Sequence, residues 1–232
     1  MRQRKYLILT LTLVGLLVVN SSPRRPMLGP LASDVFLTLV ALAVFLVVFQ
    51  GWRERVVAFA AAAAAIVVDW SHYLQVAGQH EVAQAVAYHA LMAAFFGFAV
   101  AAILHSIFDR MFARQAMTVD EVFGAVCGYL LAAGTWANAY AVTDLLVPGS
   151  FSLSPAMREF ADWNGRKAVL NYFSVVTLTT MGYGDITPVH SPATALAMLE
   201  AVFGQFYIAV VVAALVGLRL AQMLGPKDPE SR

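Results

Sequence analysis

The sequence predicts an all-α membrane protein with six spanning helices and one short re-entrant helix between the last two. Three observations carry this reading. The 232 residues are 60% hydrophobic and only 12% charged, far more apolar than an ordinary soluble domain. Stretches such as residues 35–49 and 82–104 hold no Asp, Glu, Lys or Arg, and about 20 apolar residues suffice to cross a bilayer. A single short run, "TMGYGD" from Thr180 to Asp185, puts two glycines and an acid into this apolar setting.

The elements follow in order. After the basic start Arg2, Arg4, Lys5, the first helix covers residues 6–20. A basic start before an apolar stretch also describes a signal peptide; the weak cleavage pattern at Val19-Asn20-Ser21 favours a retained helix. The second helix covers residues 31–50, the third 56–77, the fourth 82–107 and the fifth 119–147. Residues 148–167 form a polar outer loop. Residues 168–179 are apolar but too short to span, which fits a re-entrant helix. The sixth helix covers residues 192–224. The link at 111–118 divides a four-helix domain, 1–118, from a second domain, 119–224, with a short tail at 225–232. Cys127 is the only cysteine; it can form no intrachain disulfide and reads as a small core residue. A net charge of +1 gives no reason to expect a nucleic-acid partner. Membrane lipid is the expected surrounding.

Charge sets the orientation. With the N-terminus inside, the inner segments hold Arg2, Arg4, Lys5, Arg53, Arg55, Arg110, Arg114, Arg219, Lys227 and Arg232. The outer segments hold Arg24, Arg25, Arg158, Arg166 and Lys167. The excess places both termini in the cytoplasm, and the loop bearing Thr180 to Asp185 enters from outside.

Backbone outside helix or sheet is tolerated at membrane depth only where protein buries it or where it lines a watery path. Glycine permits angles closed to other residues, so a Gly-Tyr-Gly backbone can aim successive carbonyls at one axis. A ring of carbonyls can replace the water around a cation. One loop cannot make a ring, but four copies can. The run from Thr177 to Asp185, "TLTTMGYGD", preceded by Tyr172-Phe173-Ser174, resembles the pore helix and selectivity filter of tetrameric potassium channels, specifically the prokaryotic kind. The resemblance covers residues 119–224. It implies a homotetramer in the prokaryotic plasma membrane, with potassium ions held by the carbonyls of Thr180, Met181, Gly182 and Tyr183 and by the Thr180 hydroxyl. It implies that Tyr183 packs behind the filter, supported by Thr179 and Gly184, with Asp185 at the outer mouth. Met181 departs from the commoner Val or Ile, and its flexible side chain puts filter stiffness in doubt. No organic cofactor is implied.

In the sixth helix, "EAVFGQFY" from Glu200 to Tyr207 resembles the inner helix of bacterial potassium channels. Gly204 falls where that family often carries a hinge glycine; close helix packing is the other reading. Ile208, Val212, Val216 and Leu220 recur at spacing four. Such a stripe is either plain packing or, by the resemblance, the wall of an inner cavity. Glu200 is costly inside a membrane and therefore a functional candidate; a buried hydrogen bond that braces the pore helix is preferred over a part in conduction.

Six helices with the pore between the last two is also the layout of voltage-gated potassium channels. Their fourth helix carries regularly spaced arginine or lysine, whereas residues 82–108 here hold neither. Voltage work scales with the charge moved, so arginine-type voltage sensing is not expected. Histidine titrates near neutral pH. His72 and His80, with Asp69 and Trp70, fall at the outer end of the third and fourth helices, and His190 follows the filter motif. They read as interfacial residues, with pH sensing and a weak metal signal as alternatives. The expected function is a potassium-selective channel and not an enzyme. The alternatives are a nonselective cation channel, a membrane subunit of a potassium uptake system, and a nonconducting scaffold.

Overall fold

A computed structural model describes residues 5–20, 82–112, 119–158, 163–214, 216–217 and 220. The expected second and third helices, with His72 and His80, lie outside the described residues. So do residues 113–118 of the expected link, whose first two residues belong to a helix, and the tail. The described chain is mostly helical. Three of its helices are long and apolar enough to cross a membrane: Val82–Arg110, Val119–Leu146 and Ser191–Val212.

Helix α1, Lys5–Asn20, is leucine-rich. It buries Leu9 and Leu13 while Ile8 and Leu11 stay exposed, the one-sided pattern of a helix seated on a neighbour. That neighbour is α3, Val119–Leu146. The Tyr6 amide donates to the Asp120 carboxylate at 3.1 Å, and Thr10 Oγ1 lies 3.1 Å from Cys127 Sγ. Helix α2, Val82–Phe112, buries Tyr88, Met92, Phe95, Ala99, Ile103 and Ile107 at helical spacing, also against α3. It runs five residues past the expected end at 107. The extra turn carries two charges in succession, Asp109 and Arg110, which end an apolar stretch; they pair with His105 at 3.0 Å and with Glu121 at 2.6 Å. Helices on both sides of the link at 113–118 therefore share one core.

Helix α3 is the hub, and its small residues suit that place. Ala125, Cys127, Ala132 and Ala133 are all buried, and such residues let helix backbones approach closely in lipid.

The loop after α3 is not wholly irregular. Strand β1, Phe151–Leu153, pairs antiparallel with β2, Ile186–Pro188, in the register Phe151 with Pro188 and Leu153 with Ile186. Phe151 meets Tyr140 of α3 and Phe173 in three mutual T-shaped ring contacts with centroids 5.1–5.5 Å apart. No sheet was expected here, because two strands of three residues leave no visible period in the sequence.

Helix α4, Trp163–Leu178, is five residues longer at its start than expected. Its polar first turns lie outside any apolar window. Arg166 holds Asp144 of α3 with two bonds of 2.8 Å, a bidentate pair that fixes direction as well as distance. At 16 residues α4 is ~24 Å long, short of the ~30 Å hydrocarbon core.

Helix α5, Ser191–Phe206, begins with Pro192 in its first turn, where a missing N–H costs nothing. It passes into a π-helical segment, Tyr207–Val212, where one unbroken α-helix was expected. The run "YIAVVV" crowds β-branched side chains, which sit poorly in an α-helix. Tyr207, the first π residue, is tied to α3 by its hydroxyl, which donates to the Ala125 carbonyl at 2.7 Å.

Candidate functional site

The segment after α4 is shaped by how that helix ends. The last four carbonyls of an α-helix lack intrahelical donors, and here each finds one. Val175 O accepts the Thr179 amide at 3.0 Å and its hydroxyl at 2.7 Å. Val176 O accepts the Met181 amide and Thr177 O the Thr180 amide, both at 2.9 Å. Leu178 O accepts the Tyr129 hydroxyl of α3 at 2.9 Å. The crossed amide pair from Thr180 and Met181 is a Schellman motif, which requires a left-handed residue between helix and exit. Thr180 is that residue, at φ +58°. Glycine usually takes this place, and a β-branched residue there is strained.

The left-handed angle then recurs at every second residue. Gly182 has φ +55° and Gly184 φ +76°, while Met181 and Tyr183 keep negative φ. Alternation of hand along an extended chain turns successive carbonyls to the same side instead of opposite sides. Among the described residues no donor meets the carbonyls of Thr180, Met181, Gly182 or Tyr183. Thr179, Thr180, Met181, Gly182, Tyr183 and Gly184 are exposed on the single chain.

Both ends of the segment are clamped. At its exit the Asp185 carboxylate accepts the Tyr172 hydroxyl of α4 at 2.8 Å and the Ile186 amide at 3.1 Å. Burial, and then this hydrogen bond, push the Tyr172 phenol up to about 12, so it remains a donor at neutral pH. The Asp185 carbonyl accepts the Ser154 amide at 2.9 Å, which joins the exit to β1. At its start Gln205 of α5 reaches the Thr180 hydroxyl at 3.4 Å.

Glu200 is fully buried. It accepts from Tyr140 of α3 at Oε2 and lies 2.5 Å from Ser174 Oγ of α4 at Oε1, so one carboxyl group joins three helices. Gly204, one turn on, is buried against the Leu178 carbonyl, and a Cβ there would overlap that oxygen. This is the geometry of close packing. Ile208, Val212, Val216 and Leu220 share one side, as their spacing predicts. They border an apolar cavity of about 530 Å³ whose other wall is Val122, Ala125, Val126 and Tyr129 of α3. His190 is exposed just before α5 and makes no capping bond with its side chain. Tyr129, Tyr140, Ser174 and Gln205 were not read as functional from the sequence. Each is an ordinary helix residue there, and only its partner gives it a part.

A mostly helical membrane protein with a short capped helix and an exposed, alternating-hand segment is thus defined. The ion channel family model matches residues 125–218, which include all of this segment. No curated protein and no solved structure matches the chain. Over these residues the chain is similar to ion channels.

Proposed function

We propose that four copies of this chain form a potassium-selective channel in the plasma membrane, with both termini in the cytoplasm. The observation that carries the reading is the backbone from Thr180 to Tyr183. Its four carbonyls have no donor among the described residues, and its alternating hand lets them face one side. Around a fourfold axis they make stacked rings of oxygen, with the Thr180 hydroxyl as the innermost. Such rings replace the hydration shell of a potassium ion. The clamps by Tyr172, Tyr129 and β1 hold the rings at fixed width.

The purified protein in a planar bilayer is expected to show a reversal potential that follows the potassium gradient. The slope is about 59 mV per tenfold, from 1.36 kcal/mol per tenfold ratio and 2.3 kcal/mol per charge per 100 mV. A reversal near zero in potassium against sodium would instead indicate a nonselective cation channel, and no current at all a scaffold.

Gating by arginine-type voltage sensing is not part of this proposal. Helix α2 holds one basic residue, Arg110, in its last turn, and that residue is paired with Glu121 of α3. Open probability is expected to change little with voltage. A curve equivalent to several charges moved across the membrane would refute this part while leaving selectivity intact.

A further inference from the structure

Helices α3, α4 and α5 meet in two layers one helical turn apart. In the first, Tyr129 of α3 donates to the Leu178 carbonyl of α4, against which Gly204 of α5 is packed. In the second, the Ala133 carbonyl of α3, the Ser174 hydroxyl of α4 and the Glu200 carboxyl of α5 converge. Each helix advances four residues between layers, so residues on one face of each are used twice.

The second layer poses a question of proton count. Ser174 Oγ lies 2.8 Å from the Ala133 carbonyl oxygen and 2.5 Å from Glu200 Oε1. Tyr140 OH binds Glu200 Oε2. That makes three close oxygen pairs. Tyr140 and Ser174 supply one hydroxyl proton each, and the carbonyl supplies none. An ionised Glu200 would leave one pair of oxygens in contact with no proton between them. A third proton on the carboxyl completes the set. Ser174 then donates to Ala133, Glu200 donates to Ser174, and Tyr140 donates to Glu200.

The surroundings agree. Glu200 has no exposed surface, and a buried charge without a counter-charge is costly. The titratable groups that face it among the described residues are Tyr140 and Tyr129, both on α3 and neither a cation.

We propose that Glu200 is a neutral carboxylic acid. It completes a one-way chain of hydrogen bonds, Tyr140 to Glu200 to Ser174 to the Ala133 carbonyl, that fixes the height of α4 between α3 and α5. Glu200 is thereby a positioning residue for the segment that α4 carries, which begins at Thr180, six residues beyond Ser174. Its protonation rests on geometry alone; its effect on ion selection rests on the function proposed above.

The test separates the two. Infrared spectroscopy of the reconstituted protein at neutral pH is expected to show a protonated-carboxyl band that is absent in Glu200→Gln and shifted in Ser174→Ala, where the acceptor is lost. Glutamine can mimic the neutral acid, with its amide donating to Ser174 and its carbonyl accepting from Tyr140. Glu200→Gln is therefore expected to retain the parent potassium-to-sodium permeability ratio within about twofold. Glu200→Leu, which strands both hydroxyls, is expected to lower that ratio by roughly tenfold or more. Absence of a protonated band from the parent, or a band unchanged in Glu200→Gln and Ser174→Ala, overturns the neutral acid. A band that behaves as expected, with equal permeability ratios in the Gln and Leu variants, overturns the positioning role. A parent protein that does not select potassium fails the proposed function and leaves the infrared result standing.

Discussion

Gly182→Ala is expected to abolish selective potassium current while the protein still folds. Residue 182 has φ +55°, and a Cβ built there meets no atom within 4 Å in the chain. Sterics within the chain therefore cannot cause the loss; the backbone does. An L-residue in the left-handed region costs about 1–2 kcal/mol, and four copies around one axis bear it four times, about 4–8 kcal/mol in all. The segment already holds Thr180 at φ +58°, so a second strained residue falls two positions from the first. Relief comes from rotating the 182 backbone back to negative φ, which breaks the alternation and turns a carbonyl away from its ring. The helices take no part in that change. Circular dichroism melting of the variant is expected to match the parent within a few degrees, while the bilayer recording shows no potassium-selective current. A parent-like reversal potential in Gly182→Ala would show that the angle at 182 is not what orders the carbonyls.

Gly204→Val is expected to do the opposite, damaging the fold first. The added atoms would enter the space of the Leu178 carbonyl, which is held in place by the Tyr129 hydroxyl. Backbone is on both sides of the contact, so no side chain can swing away. Overpacking of this kind costs about 1–3 kcal/mol, and parting α5 from α4 also opens the layer formed by Glu200 and Ser174. The expected result is a lower melting temperature and loss of the assembled oligomer, with Gly204→Ala milder in the same direction. Gly217 is the control, because a Cβ there meets nothing within 4 Å. Equal melting of Gly204→Val and Gly217→Val would remove the close contact as the reason for glycine at 204. A hinge would show differently, as altered opening with melting unchanged.

The membrane class, helix α3, the position of α1 though not a span's length for it, the apolar part of α4 and the segment at 180–185 were legible in the sequence for local reasons. Lipid demands about 20 apolar residues per crossing, and that demand is written in consecutive residues. The Gly-Tyr-Gly run is likewise local, because the alternating hand is a property of each residue's own φ. The need for a left-handed residue at 180 was not legible. Threonine gives no hint of it, and the need arises from how the carbonyls of α4 are capped.

What tertiary structure decided is of another kind. Glu200 announced itself as an anomaly, but its partners Tyr140 and Ser174 lie 60 and 26 residues away, and no spacing rule connects them. Gly204 allowed two readings until the Leu178 carbonyl was seen against it. Strands β1 and β2 are too short to carry a period and exist because Phe151 packs on Tyr140 and Phe173. The π segment at Tyr207 depends on a run that was read as plain helix, since side-chain pattern does not record one extra residue in a turn. Local chemistry follows from neighbours in the chain. Which hydroxyl meets a buried carboxyl, and which backbone must be bare for another to touch it, follows only from where distant segments are brought together.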